Sequence, residues 1–230
     1  MICSILYTQV NTESMRSDNK QTGMKNKISL NFTYFSGKTT IFHAIGKYRL
    51  DFNSSSGWNS FIIGKYNRAV EKDNEDFAKQ TFVHLRIAKL IRKKLSIESF
   101  AQKEANNFIN LIDREVIGLG LRLNQFNNFY LGMGIMNEIE KYNDSLKENV
   151  YVKSTNYINH VFTISDNAKI QNVLYYQVSI ENMKSFRVLW QSELNINITE
   201  SFLLDLNINY RFDSNLNSYF DISNGIIFEF

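Results

Sequence analysis

The chain has 230 residues, 43% of them hydrophobic, and a formal net charge of +3. No apolar run approaches the ~20 residues of a membrane-spanning helix, and the mild, evenly spread charge excludes a nucleic-acid footprint, so no nucleic-acid partner is expected. The single cysteine, Cys3, excludes an intrachain disulfide or a cysteine metal cluster, and no cofactor is expected.

A membrane is not excluded. A transmembrane strand needs only about 9–11 residues, and only alternate ones must be apolar. Aromatic residues reach 14%, and proline, which a hydrogen-bonded ladder tolerates poorly, is absent.

The N-terminus has a short apolar piece, Ile2 to Tyr7, without a basic start, and then turns polar. It resembles the tail of a secretory signal peptide cut before Gln9, although an ordinary ragged terminus has the same appearance. Residues 1–24 are therefore expected to be a signal remnant plus a polar segment, and 25–230 a barrel.

From about Lys25 onward the pattern has period two, which sends alternate side chains to opposite faces of a strand. The first strand sets Ile28, Leu30, Phe32 and Tyr34 against Lys27, Ser29, Asn31 and Thr33. The second sets Phe42, Ala44, Gly46, Tyr48, Leu50 and Phe52 against His43, Lys47, Arg49 and Asp51. A third lies near Trp58–Ala69, with ambiguous facing. The fourth sets Val83, Leu85 and Ile87 against His84 and Arg86, and a fifth lies near Leu95–Gln102. The sixth sets Ile117, Leu119, Leu121 and Leu123 against Arg114, Gly118, Gly120 and Arg122. The seventh sets Phe129, Leu131, Met133 and Ile135 against Tyr130, Gly132, Gly134 and Met136. The eighth, Tyr151–Ile164, is again ambiguous, and the ninth lies near Ile170–Ile180. The tenth sets Phe186, Val188, Trp190, Leu194 and Ile196 against Arg187, Gln191, Glu193, Asn195 and Asn197. The eleventh sets Phe202, Leu204, Leu206, Ile208, Tyr210 and Phe212 against Asp205, Asn207, Asn209 and Arg211. The last keeps Ile222, Ile226, Phe228 and Phe230 in phase.

The connections alternate in length. Those near 53–57, 92–94, 127–128, 165–168 and 199–201 are short and rich in turn formers. Those near 71–76, 103–110, 141–149 and 213–219 are longer and polar, and the first, near Gly37, is a short exception. This rhythm predicts an all-β fold: one antiparallel transmembrane β-barrel of about twelve strands, with short periplasmic turns, longer outer loops and both termini in the periplasm.

A soluble sheet also alternates, with its apolar face inward. Here the apolar face is long, aromatic and nearly free of charge, as a lipid-facing wall requires. The opposite face carries His84, Arg86, Glu98, Gln102, Arg114, Arg122, Glu138, Arg187, Glu193, Asp205 and Arg211. These form the expected polar network of the lumen. Arg86 with Glu98, and Arg122 with Glu138, lie on neighbouring strands and are expected to pair. Such a network either plugs the barrel or lines a narrow polar path, and both readings stay open. Gly118, Gly120, Gly132 and Gly134 either open a cavity or leave room for large neighbours such as Phe100 and Arg114.

The end of the chain resembles the terminal strand that the outer-membrane barrel assembly machinery reads, with Phe228 and Phe230 as its signal. That machinery and outer-membrane lipid are the expected partners. No catalytic residue, metal ligand or enzyme activity is expected: Gly-x-Ser-x-Gly, His-Glu-x-x-His and phosphate-loop motifs are absent. An outer-membrane acyl-chain enzyme using a rim Ser or His, and a soluble periplasmic binding barrel, are the remaining alternatives.

The stretches His84–Arg86, Glu98–Gln102, Arg114–Arg122 and Gly132–Glu138, followed by Tyr210–Asn215, Asp221, Gly225 and Phe230, carry a family likeness. Over residues 25–230 the chain resembles the salt-induced outer-membrane proteins of Gram-negative bacteria, a domain of unknown function. The family's usual proline after Asn215 is replaced here by Leu216. The resemblance implies an outer-membrane barrel and no activity.

Overall fold

The structure is a computed structural model that describes residues 22–36, 40–71, 78–126, 128–143, 147–214 and 218–229. The period-two segments become strands β1 (Gly23–Ser36), β2 (Thr40–Asn53), β3 (Trp58–Glu71), β4 (Ala78–Arg92), β5 (Leu95–Asn106) and β6 (Leu111–Phe126). The second half contributes β7 (Phe129–Tyr142), β8 (Asn149–Ser165), β9 (Ala168–Ser179), β10 (Phe186–Asn197), β11 (Phe202–Asp213) and β12 (Tyr219–Glu229). Each strand pairs antiparallel with its sequence neighbours, and β1 pairs with β12, so the sheet is a closed barrel. The closing ladder sets Lys27 opposite Glu229 and Leu30 opposite Ile226.

The faces follow the alternation. Phe32, Phe42, Phe52, Ile87, Ile117, Leu119, Ile135, Leu204 and Phe228 point outward and are exposed, whereas the opposite phase is buried or half-buried. A soluble barrel has the reverse arrangement. The two ambiguous strands are resolved. On β3, Phe61, Ile63, Asn67 and Ala69 face inward and Ile62 and Tyr66 outward. On β8, Lys153, Thr155, Tyr157, Asn159 and Val161 face inward.

Two boundaries differ from expectation. β1 begins at Gly23 rather than after residue 24, because Met24 continues the ladder opposite Phe52. Half of the expected outer loop at 103–110 is strand. β5 runs to Asn106 because Glu104 and Asn106 keep the inward phase of Gln102, and only a 3-10 turn at Asn107–Ile109 leads into β6. The connection near Gly37, residues 1–21 of the expected signal remnant and polar segment, and Phe230 lie outside the described residues.

Short turns are stabilised locally. Gly57 takes φ +84° in the β2–β3 turn, where the Ser54 amide donates to the Trp58 carbonyl at 2.9 Å. Asn128 takes φ +61° before β7, a conformation asparagine tolerates better than most residues.

The lumen is packed rather than hollow along much of its wall. Phe61, Ile63 and Phe82 form one apolar cluster, and Tyr157, Val173, Tyr175 and Leu189 another. The inward glycines serve this packing. A Cβ on Gly118 would run into the Phe100 ring, and one on Gly132 into the Tyr157 ring. Each aromatic therefore lies flat across a strand that has no side chain at that point.

Gly132→Ala is expected to destabilise the barrel by about 1–3 kcal/mol through overpacking. Gly64→Ala, whose Cβ meets nothing within 4 Å, serves as the control. The measurement is the temperature at which the folded gel band converts to the slower unfolded one. Equal midpoints for the two variants would contradict the packing role.

Candidate functional site in the barrel lumen

Inward charges on β5 to β11 meet near the end of the barrel where β5–β6 and β7–β8 connect. Arg114 on β6 pairs with Glu138 on β7, with Glu104 on β5 at 3.2 Å and with Glu140 at 3.3 Å. Glu138 also receives Lys153 from β8 and Arg187 from β10, the latter at 3.1 Å. Arg187 reaches Glu140 at 3.3 Å and Asp213 on β11 at 2.7 Å, and Arg211 joins Asp213 at 3.1 Å. Gln80 on β4 donates to Glu104 at 2.8 Å.

Four cations (Arg114, Lys153, Arg187, Arg211) thus face four carboxylates (Glu104, Glu138, Glu140, Asp213), all buried. The cluster is neutral as a unit. Glu138, at 0% exposure, is its centre, with three cations on one carboxylate. Buried charges are tolerated only when paired and hydrogen-bonded in this way. The Arg187–Glu138 contact joins strands that are not neighbours, so it crosses the lumen.

A second region lies deeper. Arg86 pairs with Glu98 at 3.2 Å. The pairing is diagonal, since Arg86 stands opposite Phe100 and Glu98 opposite Ala88. The Arg86 guanidinium also lies 5.4 Å from the Phe100 ring centre and 5.8 Å from that of Phe61. The Tyr157 hydroxyl donates to Glu98 at 3.4 Å, a second link between non-adjacent strands. His84 is sandwiched by Phe61, Phe82 and Phe100, with ring centres 5.8–6.2 Å away. Gln102 stands beside it, opposite His84 on β4 and Val116 on β6. The partly open cavity bounded by Arg86, Glu98, Gln102, Arg114 and Tyr157 measures about 40 Å³. That is room for a few waters, each of which needs about 10–15 Å³ in the same measure.

The expected Arg122–Glu138 pair does not form. Arg122 stands opposite Gly132, whereas Glu138 stands opposite Val116, six residues further along β7. That offset is roughly 20 Å of strand. Arg122 instead lays its guanidinium 3.8 Å over the Tyr130 ring. Glu193 is half-buried and accepts from Asn195 at 2.9 Å, and Asp205 accepts from the Asn207 amide.

Four network members escape a reading of the sequence: Glu104, Glu140, Lys153 and Asp213. Glu104 lies in a stretch that reads as a loop, and Lys153 on a strand of ambiguous facing. Glu140 and Asp213 sit at strand ends. The unbroken phase Glu98, Phe100, Gln102, Glu104 is the signal that marks Glu104 as inward.

The wall formed by β1 to β3 is different in character. Lys27 stands opposite Arg49, and Lys47 opposite Lys65. Arg49 engages Asp51 with two guanidinium nitrogens. Lys27 and Lys47 act electrostatically on Asp205 of β11. The lysines here are half-exposed, unlike the dry cluster near Glu138.

The three histidines stand apart. His43 shares a hydrogen bond with Asn67 at 2.6 Å, His84 is in the aromatic sandwich, and His160 faces outward. A hollow of about 530 Å³ between Leu85, Ile87, Ala101, Ile117 and Leu119 opens on the outer, lipid-facing wall and not on the lumen.

The family model for proteins of unknown function, DUF481, matches residues 9–221. The chain belongs to that family. Among curated proteins none matches the sequence. Solved structures with the same fold are outer-membrane barrels. The NanC porin matches with a TM-score of 0.56 at 8% identity, over 90% of this chain and 99% of its own. The KdgM porin matches with a TM-score of 0.54 at 10% identity, over 90% and 99%. The translocator domain of the autotransporter NalP from Neisseria meningitidis matches with a TM-score of 0.52 at 10% identity, over 93% and 90%. This DUF481 chain is therefore an outer-membrane β-barrel by fold. Because porins and a translocator domain share that fold, its role has to be argued from the lumen.

Removal of the central carboxylate tests the network. Glu138→Ala leaves Arg114, Lys153 and Arg187 short of a counter-charge and is expected to cost about 3–5 kcal/mol. The folded band of this DUF481 barrel should then be lost at a lower temperature or denaturant concentration than in the wild type. An unchanged midpoint would show that the pairing carries little stability.

Proposed function

We propose that this DUF481 protein is a structural barrel of the outer membrane whose lumen is shut by its own ion pairs, of the stress-related kind the family resemblance implies. The observation that carries the reading is the neutral, buried cluster centred on Glu138, with Arg187 reaching across from β10. A conducting pore for ions or solutes needs a continuous wet path. Here the mid-barrel space measures only about 40 Å³ and is bounded by cross-lumen contacts, including Tyr157 to Glu98. Balanced pairs also offer no field of one sign to draw a solute in.

The orientation belongs to the same proposal. On this reading the end with the short connections and both termini is periplasmic, and the longer connections face outward. The strand ending in Phe228 and Phe230 is what the assembly machinery would read, and lipid covers the outer wall.

One observation favours a second reading, a narrow path for small anions. On β1 to β3 the cations Lys27, Arg49, Lys47 and Lys65 stand directly opposite one another. Arg49 is buried on Asp51, but the half-exposed Lys27, Lys47 and Lys65 in that register favour an anion beside them.

Planar bilayers separate the two. The wild type is expected to give no steady conductance, and the double variant Glu138→Ala, Arg187→Ala to give discrete openings. Steady wild-type conductance that loses anion preference in Lys47→Ala would overturn the closed barrel and establish the path.

A further inference from the structure

The outer wall of β8 to β10 carries a polar patch inside an otherwise apolar face. On β8, Ser154, Asn156 and His160 face outward between Val150 and Val152 on one side and Phe162 and Ile164 on the other. On β9, Asn172 faces outward between Ile170 and Leu174, and on β10, Ser192 does so between Trp190 and Leu194. The register makes the last three a row: His160 stands opposite Asn172, and Asn172 opposite Ser192. Adjacent members of that row are about 4.8 Å apart, the spacing of paired strands.

This placement is costly in lipid. Acyl chains can neither donate nor accept a hydrogen bond, and polar side chains within a membrane span mark functional contacts by default. Only part of the patch is satisfied within the chain. The Asn156 amide donates to the Ser154 hydroxyl at 2.9 Å. His160 makes ring contacts with Phe129 and Phe162. The side chains of Asn172 and Ser192 make no hydrogen bond among the described residues.

We propose that the patch is the centre of an interface between two copies of this chain, related by a two-fold axis normal to the membrane. Three properties select a second copy. Asparagine and serine side chains each hold both a donor and an acceptor, so the same patch turned through half a circle satisfies itself. The outward positions of β8, β9 and β10 around the patch carry no Asp, Glu, Lys or Arg, so two copies meet without repulsion. The flanking apolar positions, such as Ile158, Leu174 and Trp190, surround the polar row and keep it dry once covered. Polar groups at the centre of an apolar contact supply both attraction and register in a membrane, where burial of apolar surface alone gives no driving force. The inference rests on the membrane-barrel reading and is independent of whether the lumen conducts.

Site-directed cross-linking in membranes tests it. In a Cys3→Ser background, a short thiol cross-linker is applied to membranes holding either Asn172→Cys or Ile62→Cys. Ile62 faces outward on β3, six strands from β9 on the far side of the barrel. The expected result is a product of twice the chain mass for Asn172→Cys and none for Ile62→Cys. A second measurement is sedimentation in mild detergent, where the wild type should run as a dimer and Asn156→Leu, Asn172→Leu as a monomer. Heat-modifiable gel mobility in all variants reports that the barrel itself is intact, so failure of the fold reading is seen separately. Equal cross-linking at the two positions, a product with a different protein, or wild-type sedimentation of the leucine variant would overturn the interface.

Discussion

A strand in lipid has to give every backbone N–H and C=O to another strand, and everything else in this molecule follows from that demand. It forces the sheet to close, and the β1–β12 ladder closes it. Closure divides the side chains into two populations that cannot exchange. One faces acyl chains and must be apolar. The other faces a lumen narrow enough that its polar groups satisfy one another. The chain therefore largely inverts a soluble protein, with isoleucine, leucine and phenylalanine outside and glutamate and arginine among its most buried side chains.

The lumen solves its own problem twice, by different means. Around Glu138 the solution is electrostatic: charges of both signs, in equal number, are buried together. Around His84 and Tyr157 it is steric: aromatic rings lie across glycines and leave a residual cavity of only about 40 Å³. The β1 to β3 wall uses neither device fully, and its lysines remain half-exposed. The interior is thus lopsided, dry on one side and wetter on the other.

Most of the barrel was legible in the sequence because period two is a direct readout of facing. The strands that alternate cleanly, such as β2, β6 and β11, have the faces their residues announce. The lumen was legible in part. Arg86 with Glu98 followed from neighbouring strands, but Arg122 with Glu138 did not, because adjacency says nothing about height along the axis. Only the register, which sets Arg122 opposite Gly132, supplies that. The faces of β3 and β8 resisted assignment for a physical reason. β3 turns Phe61 and Ile63 into the lumen as core, and β8 turns Asn156 and His160 outward. In both strands each face mixes apolar and polar residues, so the pattern loses contrast where the barrel departs from a simple wall.

The order of the strands around the barrel has a kinetic meaning. Eleven of the twelve pairings join segments that are adjacent in sequence, and each can form as a hairpin soon after its halves meet. The twelfth, β1 with β12, spans nearly the whole chain, with Ser29 set against Ile227. The loop-closure entropy of assembly is concentrated in that one seam. There the Asn31 amide donates to the Asn224 carbonyl beside Gly225, where a side chain would collide with Asn31. The barrel thus resembles a cylinder rolled from a meander and fastened last along a single edge. At that edge Gly225 leaves the space that the Asn31 amide fills.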